Sequence, residues 1–360
     1  MSKFMPFPQV LVDTLDTPAV VVDLDIAERN VARLQQACEL AGVGNRPHIK
    51  THKSPQLAHM QLAAGAVGLT CQKLGEAETM ADAGAHDLLI SYNLLGAAKQ
   101  KRLRALAARV RLTVCCDSAR VAEGYAQALS GQVHALKVLV ECDTGRHRSG
   151  VTSPDAASEL ARRIASHPEL RFDGFLLYPP EGNLDGTREF LAQARAGCAK
   201  FGLPVHTVSS GGTPGWQHVG HVGETEYRAG TYIYNDRQMV RLNAATLDDC
   251  ALWVYATVVS HPEPGRVMLD AGSKTLTSDL AGFEDYGWMV DYPHARIYKL
   301  AEEHAFVDVS QCDRLPQVGE VVRILPNHVC PVSNLMDTVL TVRCGQRGGE
   351  LTIAARGKVT

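Results

Sequence analysis

Residues 67–92, VGLTCQKLGEAETMADAGAHDLLISY, contain one full repeat of the pattern that sets the fold. An apolar run, Val67–Cys71, is followed by a helix-like stretch, Gly75–Ala83, and then by a second apolar run, Leu88–Tyr92. Short apolar runs bounded by turn residues read as strands, and an amphipathic stretch between two of them reads as a crossover helix. Outward in both directions the alternation continues. Further candidate strands are Pro47–Lys50, Val110–Cys115, Leu136–Cys142, Gly174–Tyr178, His206–Ser209 and Gly230–Tyr234, eight in all with the two above. Further candidate helices are Ile26–Ala41, with Asp25 as its expected N-cap, Ser54–Ala64 and Pro154–Ala165. Alternating strands and helices imply right-handed βα units and a parallel sheet. Eight such units over about 200 residues fit a closed (β/α)8 barrel of the TIM type. Periodicity is equally compatible with a doubly wound open sheet.

Past residue 245 the texture changes. ALWVYATVVSH (251–261), GRVMLDAG (265–272), ARIYKLAEEHAFVDV (295–309), EVVRILP (320–326) and TVLTVRCG (338–345) are β-rich and separated by turn residues. The expected fold class is therefore α/β: a barrel over 27–245, then an antiparallel β domain over 246–360. The run AVVVDL (19–24) precedes the first helix and reads as a strand returning to that β domain, so segment 1–26 is expected to complete it.

The chain has 360 residues, with 39 acidic and 36 basic side chains and a net charge of −3. That balance argues against nucleic acid or an acidic membrane surface as a partner. No apolar run approaches the roughly 18–20 residues of a membrane span. MSKFMPFPQVLVDTLDTP (1–18) lacks the long apolar core of a secretory signal, so a soluble, cytoplasmic protein is expected. Ten cysteines are scattered without a CxxC pair and read as reduced thiols, with Cys330 set apart.

In a parallel barrel the C-terminal strand ends build the active site. PHIKTHKSP (47–55) offers Lys50 between His48 and His52. Desolvation and neighbouring cations lower a lysine pKa and favour a nucleophilic amine; a surface lysine snorkelling from a basic loop is the plainer reading. TCQKLGEAE (70–78) offers Gln72, and ECDTGRHRSG (141–150) offers Asp143, Arg146, His147 and Arg148. LLYPPEGN (176–183) offers Tyr178. VSSGGTPGW (208–216) is a Gly-rich turn carrying Ser209, Ser210, Gly211, Gly212 and Thr213, and RAGTYIYND (228–236) brings Gly230, Thr231 and Tyr232. Phosphate binding by the loops after strands seven and eight recurs in barrels. In the β-rich part, PNHVCPVSNL (326–335) sets His328 and Cys330 two apart. On an extended segment they share a face, where one borderline-soft ion takes both imidazole and thiolate; a buried Cys beside a structural His is the plainer reading. His304, in EEHAF, reads as a base or a satellite, and LDAGSKTLTSD (269–279), with Asp270 and Lys274, as a structural turn.

In this order PHIKTHKS, QKLGEAE, DTGRHRSGV, SSGGTP, GTYIYND, DAGSKTLTSD, EEHAF and PNHVCPVSNL resemble the fold-type III pyridoxal-phosphate enzymes of the D-threonine aldolase and D-serine dehydratase group. The resemblance runs from Thr17 to about Val342 and implies an alanine-racemase-like barrel joined to a C-terminal β domain. It implies that Lys50 holds pyridoxal 5′-phosphate (PLP) as a Schiff base and acts in catalysis. It implies that Ser210, Gly211, Gly212, Thr213, Gly230 and Tyr232 cradle the phosphate. Gln72, Arg148 and Tyr178 are similar to residues near the cofactor ring. His328 and Cys330 resemble a divalent-metal pair, with zinc favoured over manganese or magnesium, and His304 resembles a catalytic pocket histidine.

The implied function is a PLP- and metal-dependent lyase. It would dehydrate and deaminate a small-molecule β-hydroxy D-amino acid to a 2-oxo acid and ammonia, in a homodimer. The alternative is retro-aldol cleavage to glycine and an aldehyde; an amino-acid racemase and a non-catalytic PLP-binding protein are the other classes. The His-x-Cys pair resembles D-serine and D-threo-3-hydroxyaspartate dehydratases, whereas the aldolase branch more often pairs His with a carboxylate. After Tyr178 the chain reads PPEGN, a departure from the shorter Gly-His turn expected of the family.

Overall fold

The structure, a computed structural model, describes residue 12 and residues 14–360. Of the segment 1–26 expected to complete the β domain, residues 1–11 and 13 lie outside the described residues. The chain divides into two compact units. One holds Arg33–Lys50, Leu57–Gly230 and Lys358–Thr360; the other holds the described residues up to Ala32 with Thr51–Gln56 and Thr231–Gly357. This division differs from the expected boundaries of 27–245 and 246–360 mainly by placing Thr51–Gln56 and 231–245 with the β-rich part. Among the described residues no helix is long and apolar enough to cross a membrane.

In chain order the elements are β1 (Ala19–Asp23), α1 (Leu24–Leu40), β2 (Gly44–Asn45), α2 (Pro55–Ala63), β3 (Leu69–Cys71), α3 (Leu74–Asp82), β4 (Asp87–Ile90) and α4 (Ala97–Ala107). Then come β5 (Arg111–Cys116), α5 (Ala119–Leu129), β6 (Leu136–Cys142), α6 (Pro154–Ala165), β7 (Leu170–Leu177), α7 (Leu184–Lys200), β8 (Thr207–Ser210) and β9 (Glu226–Tyr227). Strands β2 to β9 pair in parallel in the order β2-β9-β8-β7-β6-β5-β4-β3. A parallel bridge between His48 and Thr70 joins the two ends of that sheet, which closes the barrel. The helices form as their sequences dictate. In α6, Pro154 opens the first turn, Ser153 Oγ accepts from Ala156 N at 3.2 Å, and Ala157, Leu160, Ala161 and Ile164 bury one stripe. Inside the barrel Leu89, Cys115, Leu139 and Leu176, one from each of β4 to β7, pack as an apolar layer.

At the N-terminal strand ends a cavity of about 530 Å³ is lined by Arg46, Asp87, Lys137, Asp173, Thr207 and Glu226 among others. Its charges pair with each other. Arg46 binds Asp87 at 2.6 Å and Glu226 at 2.7 Å, and Thr207 Oγ1 donates to Asp173 at 2.8 Å. This is the end opposite the one where barrel chemistry is built.

Three sequence expectations need correction. Pro47–Lys50 is not a strand: the ladder there is Gly44–Asn45 and the single bridge at His48, while Ile49–Thr51 winds into a 3-10 turn. Gly230–Tyr234 is not a strand either. The eighth barrel strand is Glu226–Tyr227, and Thr231–Ile233 is a 3-10 turn closed by Tyr234 N and Asn235 N donating to Thr231 O at 3.0 and 2.7 Å. The N-cap of α1 is Asp23 rather than Asp25: its Oδ1 accepts from Asp25 N at 2.9 Å and Ile26 N at 3.1 Å.

The second unit continues with α8 (Arg237–Arg241), β10 (Leu252–Glu263), β11 (Arg266–Leu269), α9 (Ser273–Leu276), β12 (Trp288–Met289), β13 (Arg296–Leu300), β14 (Ala305–Asp308), β15 (Val321–Leu325), α10 (Val329–Leu335), β16 (Thr338–Arg343) and β17 (Gln346–Thr352). Its sheet runs β13-β14-β11-β10-β1-β16-β17, with β15 also on β10 and β12 on β15. Pairings are antiparallel except β1 with β16, so β1 joins this sheet. Val21, Trp253, Tyr255, Leu325 and Val342 form its core.

Candidate active site

In the barrel unit Lys50 sits in the 3-10 turn just past the bridge at His48. Its backbone N–H points to His48 Nδ1 at 3.4 Å. The other ring nitrogen, Nε2, lies 3.1 Å from Gln72 Oε1 and 3.3 Å from Ser91 Oγ. Gln72 in turn donates from Nε2 to Ser91 O at 3.1 Å. A ring accepting at Nδ1 carries its proton at Nε2, which fits donation to the Gln72 oxygen. Lys50 and Gln72 are thus held at neighbouring strand ends by one hydrogen-bonded set.

The loop after β6 is organised by Asp143. Its Oδ1 accepts from Gly145 N at 2.8 Å and Arg146 N at 2.7 Å, and its Oδ2 accepts from Arg148 N at 3.0 Å. Slight burial works to raise the Asp143 carboxyl, but these three donors hold it below its ordinary value. The loop places the guanidinium of Arg146 4.2 Å, and that of Arg148 5.3 Å, from the centre of the Tyr178 ring. Arg146 is also paired with Glu181 at 2.5 Å, a residue of the PPEGN departure. Arg148 is exposed, 4.0 Å from the buried Glu141 carboxylate, which accepts from Ser149 Oγ at 2.8 Å.

The end of β8 forms a cradle. Gly211 has φ +89°, and a Cβ there would lie 2.0 Å from the Tyr227 ring. Gly212 is extended, and a Cβ there would lie 2.5 Å from Tyr178 Cε2. Backbone and rings therefore approach as closely as two missing side chains allow. Ser209 and Ser210 are buried, and their hydroxyls lack a hydrogen-bond partner among the described residues. Thr213 and Gly230 are buried as well.

Arg228, a residue absent from the candidates above, is buried and donates from Nη2 to Leu177 O at 2.5 Å, while its Nε has no partner among the described residues. Burial pulls its guanidinium below its ordinary pKa, against the pull of Glu226 and Glu141. Buried donors without partners carry a free-energy cost that a bound anionic, polar group relieves. These residues fit a phosphate-bearing cofactor such as PLP. Arg228 stands one position after Tyr227 in the EYRAG run, and an arginine directly following a barrel strand was the available signal.

The second unit holds Tyr232, His304, His328 and Cys330. Tyr232 is buried in the 3-10 turn. His304 is exposed in the turn between β13 and β14, where its carbonyl accepts from Ala301 N at 2.9 Å. The 326–335 segment is not extended: His328 is the extended N-cap of α10, and Cys330 lies in the first helical turn. The pair is nonetheless brought together closely enough for the Cys330 side chain to raise the His328 pKa.

Two carboxylates that were not singled out frame this pair. Asp279 Oδ2 lies 2.7 Å from His328 Nδ1. Asp236, fully buried, accepts at Oδ1 from Met239 N at 2.9 Å and at Oδ2 from Val329 N at 3.1 Å. Burial raises the Asp236 carboxyl to about 6. Burial works to lower the His328 imidazole, but the Cys330 and Asp279 side chains overcome it and raise its pKa to about 9. An imidazole tied at Nδ1 to a carboxylate, beside a thiol, offers two donors of the kind a borderline-soft divalent ion takes, although among the described residues no group of three or more such side chains is clustered to hold one. Asp279 lies 49 positions before His328, a separation that carries no spacing signal. Asp270 accepts from Thr17 Oγ1 at 2.6 Å and Thr257 N at 2.8 Å, and Lys274 pairs with Glu303 at 2.5 Å. Both hold turns.

Residues 22–238 match the family model described as alanine racemase, N-terminal domain, and residues 251–342 match the putative serine dehydratase domain. The chain belongs to the fold-type III PLP family, with its alanine-racemase-like barrel and C-terminal β domain, and it is a PLP-dependent lyase. It is 33% identical to the D-threonine aldolase of Arthrobacter sp. over 95% of this chain and 93% of that one. It is 35% identical to the D-threo-3-hydroxyaspartate dehydratase of Delftia sp. over 88% of this chain and 91% of the relative. Among solved structures, the D-threonine aldolase from Filomicrobium marinum superposes with a TM-score of 0.89 at 33% identity, covering 96% of this chain and 97% of that one.

Proposed function

We propose that this lyase dehydrates a β-hydroxy D-amino acid to a 2-oxo acid and ammonia, using PLP and a divalent metal, zinc for preference. The observation that carries the choice is the His328–Cys330 pair, with a thiolate where a retro-aldol site would more often hold a carboxylate. A solved relative of 29% identity adds support: a D-threo-3-hydroxyaspartate dehydratase carrying a cysteine-to-alanine mutation, in a metal-free form.

In this reading Lys50 holds the cofactor and, once released, takes the proton from Cα. Ser210, Gly211, Gly212, Thr213, Gly230 and Tyr232, with the buried Arg228 beside them in the cradle, would hold its phosphate, and Gln72, Arg148 and Tyr178 would lie around its ring. Bound PLP supplies an electron sink for the charge left at Cα. His328 and Cys330 would hold the metal, which when bound would supply Lewis-acid chemistry at the β-hydroxyl. The Cα–H and Cβ–O bonds break, and the released enamine hydrolyses to the 2-oxo acid and ammonia. His304, exposed in its hairpin turn, would serve as the second catalytic residue, a base beside the pocket. A cytoplasmic homodimer completes the proposal.

Retro-aldol cleavage to glycine and an aldehyde is the second reading, favoured by the D-threonine aldolase relative. Incubating the protein with D-serine, D-threonine and D-threo-3-hydroxyaspartate, with and without chelator, separates the two. Ammonia with a 2-oxo acid supports dehydration. Glycine with an aldehyde overturns it, and activity indifferent to chelation removes the metal.

A further inference from the structure

Thr51 is fully buried at the end of the 3-10 turn Ile49–Thr51, one residue after Lys50. Its Oγ1 lies 3.2 Å from the Cys330 sulfur, and Thr231 Oγ1 lies 3.8 Å from the same atom. We propose that Thr51 is a positioning residue for the Cys330 thiolate, its hydroxyl setting the direction and donor strength of that sulfur at the metal site. The inference rests on the metal reading above.

The chemistry runs in one direction. A metal-bound sulfur is a thiolate with no proton to give, so both threonine hydroxyls can only donate to it. Hydrogen bonds to an ionised acceptor are the strong ones. They draw charge from the sulfur and restrict its rotation about Cα–Cβ. Thr51 has no freedom to look elsewhere, because it is buried and β-branched, with few χ1 states. The imidazole half of the pair is already oriented by Asp279, and the intervening Val329 amide by Asp236. Thr51 supplies the matching contact on the sulfur half. Partners of this kind contribute 10–100-fold to metal affinity.

The test uses Co²⁺ as the probe on the cofactor-loaded protein, read as the difference spectrum between metal-loaded and chelated samples, with affinity from chelator competition. Thr51→Val keeps the shape and removes the hydroxyl. It is expected to move the thiolate-to-cobalt absorption to lower energy and to weaken Co²⁺ binding about 10–100-fold, with the cofactor band unchanged. Thr51→Ser restores both. Thr231→Val, which removes the longer contact, shifts the absorption the same way by less, and keeps the test open if Thr51→Val does not accumulate. A Thr51→Val protein matching the parent in band and affinity overturns this inference and leaves the metal reading intact. A parent protein with no thiolate-to-cobalt absorption overturns the metal reading and this inference with it.

Discussion

Replacing Gly211 and Gly212 one at a time by alanine separates two reasons for a glycine in the cradle. At Gly211 φ is +89°, where an L-residue costs about 1–2 kcal/mol. The added Cβ would lie 2.0, 2.4 and 2.5 Å from three atoms of the Tyr227 ring. That ring is 3% exposed and its hydroxyl donates to Gly212 O at 2.8 Å. Moving it costs overpacking of about 1–3 kcal/mol and a hydrogen bond of about 0.5–1.5 kcal/mol. Gly211→Ala is thus expected to destabilise by about 3–6 kcal/mol. Gly212 is extended, so alanine meets no backbone strain, and its Cβ conflicts chiefly with Tyr178 Cε2 at 2.5 Å. Tyr178 is half-buried and can swing, so the stability loss is about 1–2 kcal/mol. The displaced ring intrudes on the cofactor space, and PLP retention falls. Urea unfolding of the apoprotein gives the stability ranking free of ligand linkage, and absorption of purified protein gives cofactor content. Equal costs at the two positions, or a Gly211→Ala protein within 0.5 kcal/mol of the parent, would refute the cradle geometry.

Lys50→Ala is expected to abolish the visible band of protein-bound PLP without unfolding the chain; a surviving band means another residue holds the cofactor. Asp279→Asn weakens the carboxylate–imidazole contact at His328 and is expected to lower metal affinity about 10–100-fold in a chelator competition; unchanged affinity removes Asp279 from the site. At the other end of the barrel, burial works to raise the Asp173 carboxyl, but Thr207, Lys137 and Arg171 hold it below its ordinary value. A depressed folded pKa stabilises above the unfolded carboxylate value of about 3.9 and is lost as pH falls through the folded one. Asp173→Asn should therefore cost about 1–2 kcal/mol at pH 7, a difference that shrinks as pH falls below the ordinary carboxylate value and through the lower folded one in urea titrations; parallel curves would contradict this.

The barrel was legible wherever a strand is long enough to show a buried run. Leu136–Cys142 and Leu170–Leu177 are almost wholly buried, and their apolar residues say so. The two-residue strands β2 and β9 carry no period at all. The eye passes instead to PHIK and TYIY, whose apolar spacing serves 3-10 turns. Pro331, in the first turn of α10, is the local sign that Cys330 starts a helix rather than ending a strand. Lys50, Gln72, Tyr178 and the Gly211–Gly212 turn could be singled out as candidates because strand ends define where barrel chemistry sits. Asp279, Asp236 and Thr51 were not, because each meets the His328–Cys330 segment across 49, 93 and 279 positions respectively.

Those distant side chains also explain the protonation of the pair. Asp279 and Asp236 both raise the His328 pKa, as does the Cys330 sulfur, and together they overcome a burial that favours the neutral ring. Without a cation the imidazole takes up a proton and holds it to about pH 9. That proton stands where positive charge is needed. A divalent ion must displace it, because a ligating imidazole is neutral and a ligating thiol is ionised. The Asp279 and Asp236 carboxylates that favour this proton would then act on the positive charge of the bound ion. In the proposed site the Cys330 sulfur, with the buried Thr51 hydroxyl 3.2 Å away, would be the softer donor, one that favours zinc over the oxygen-seeking magnesium and manganese.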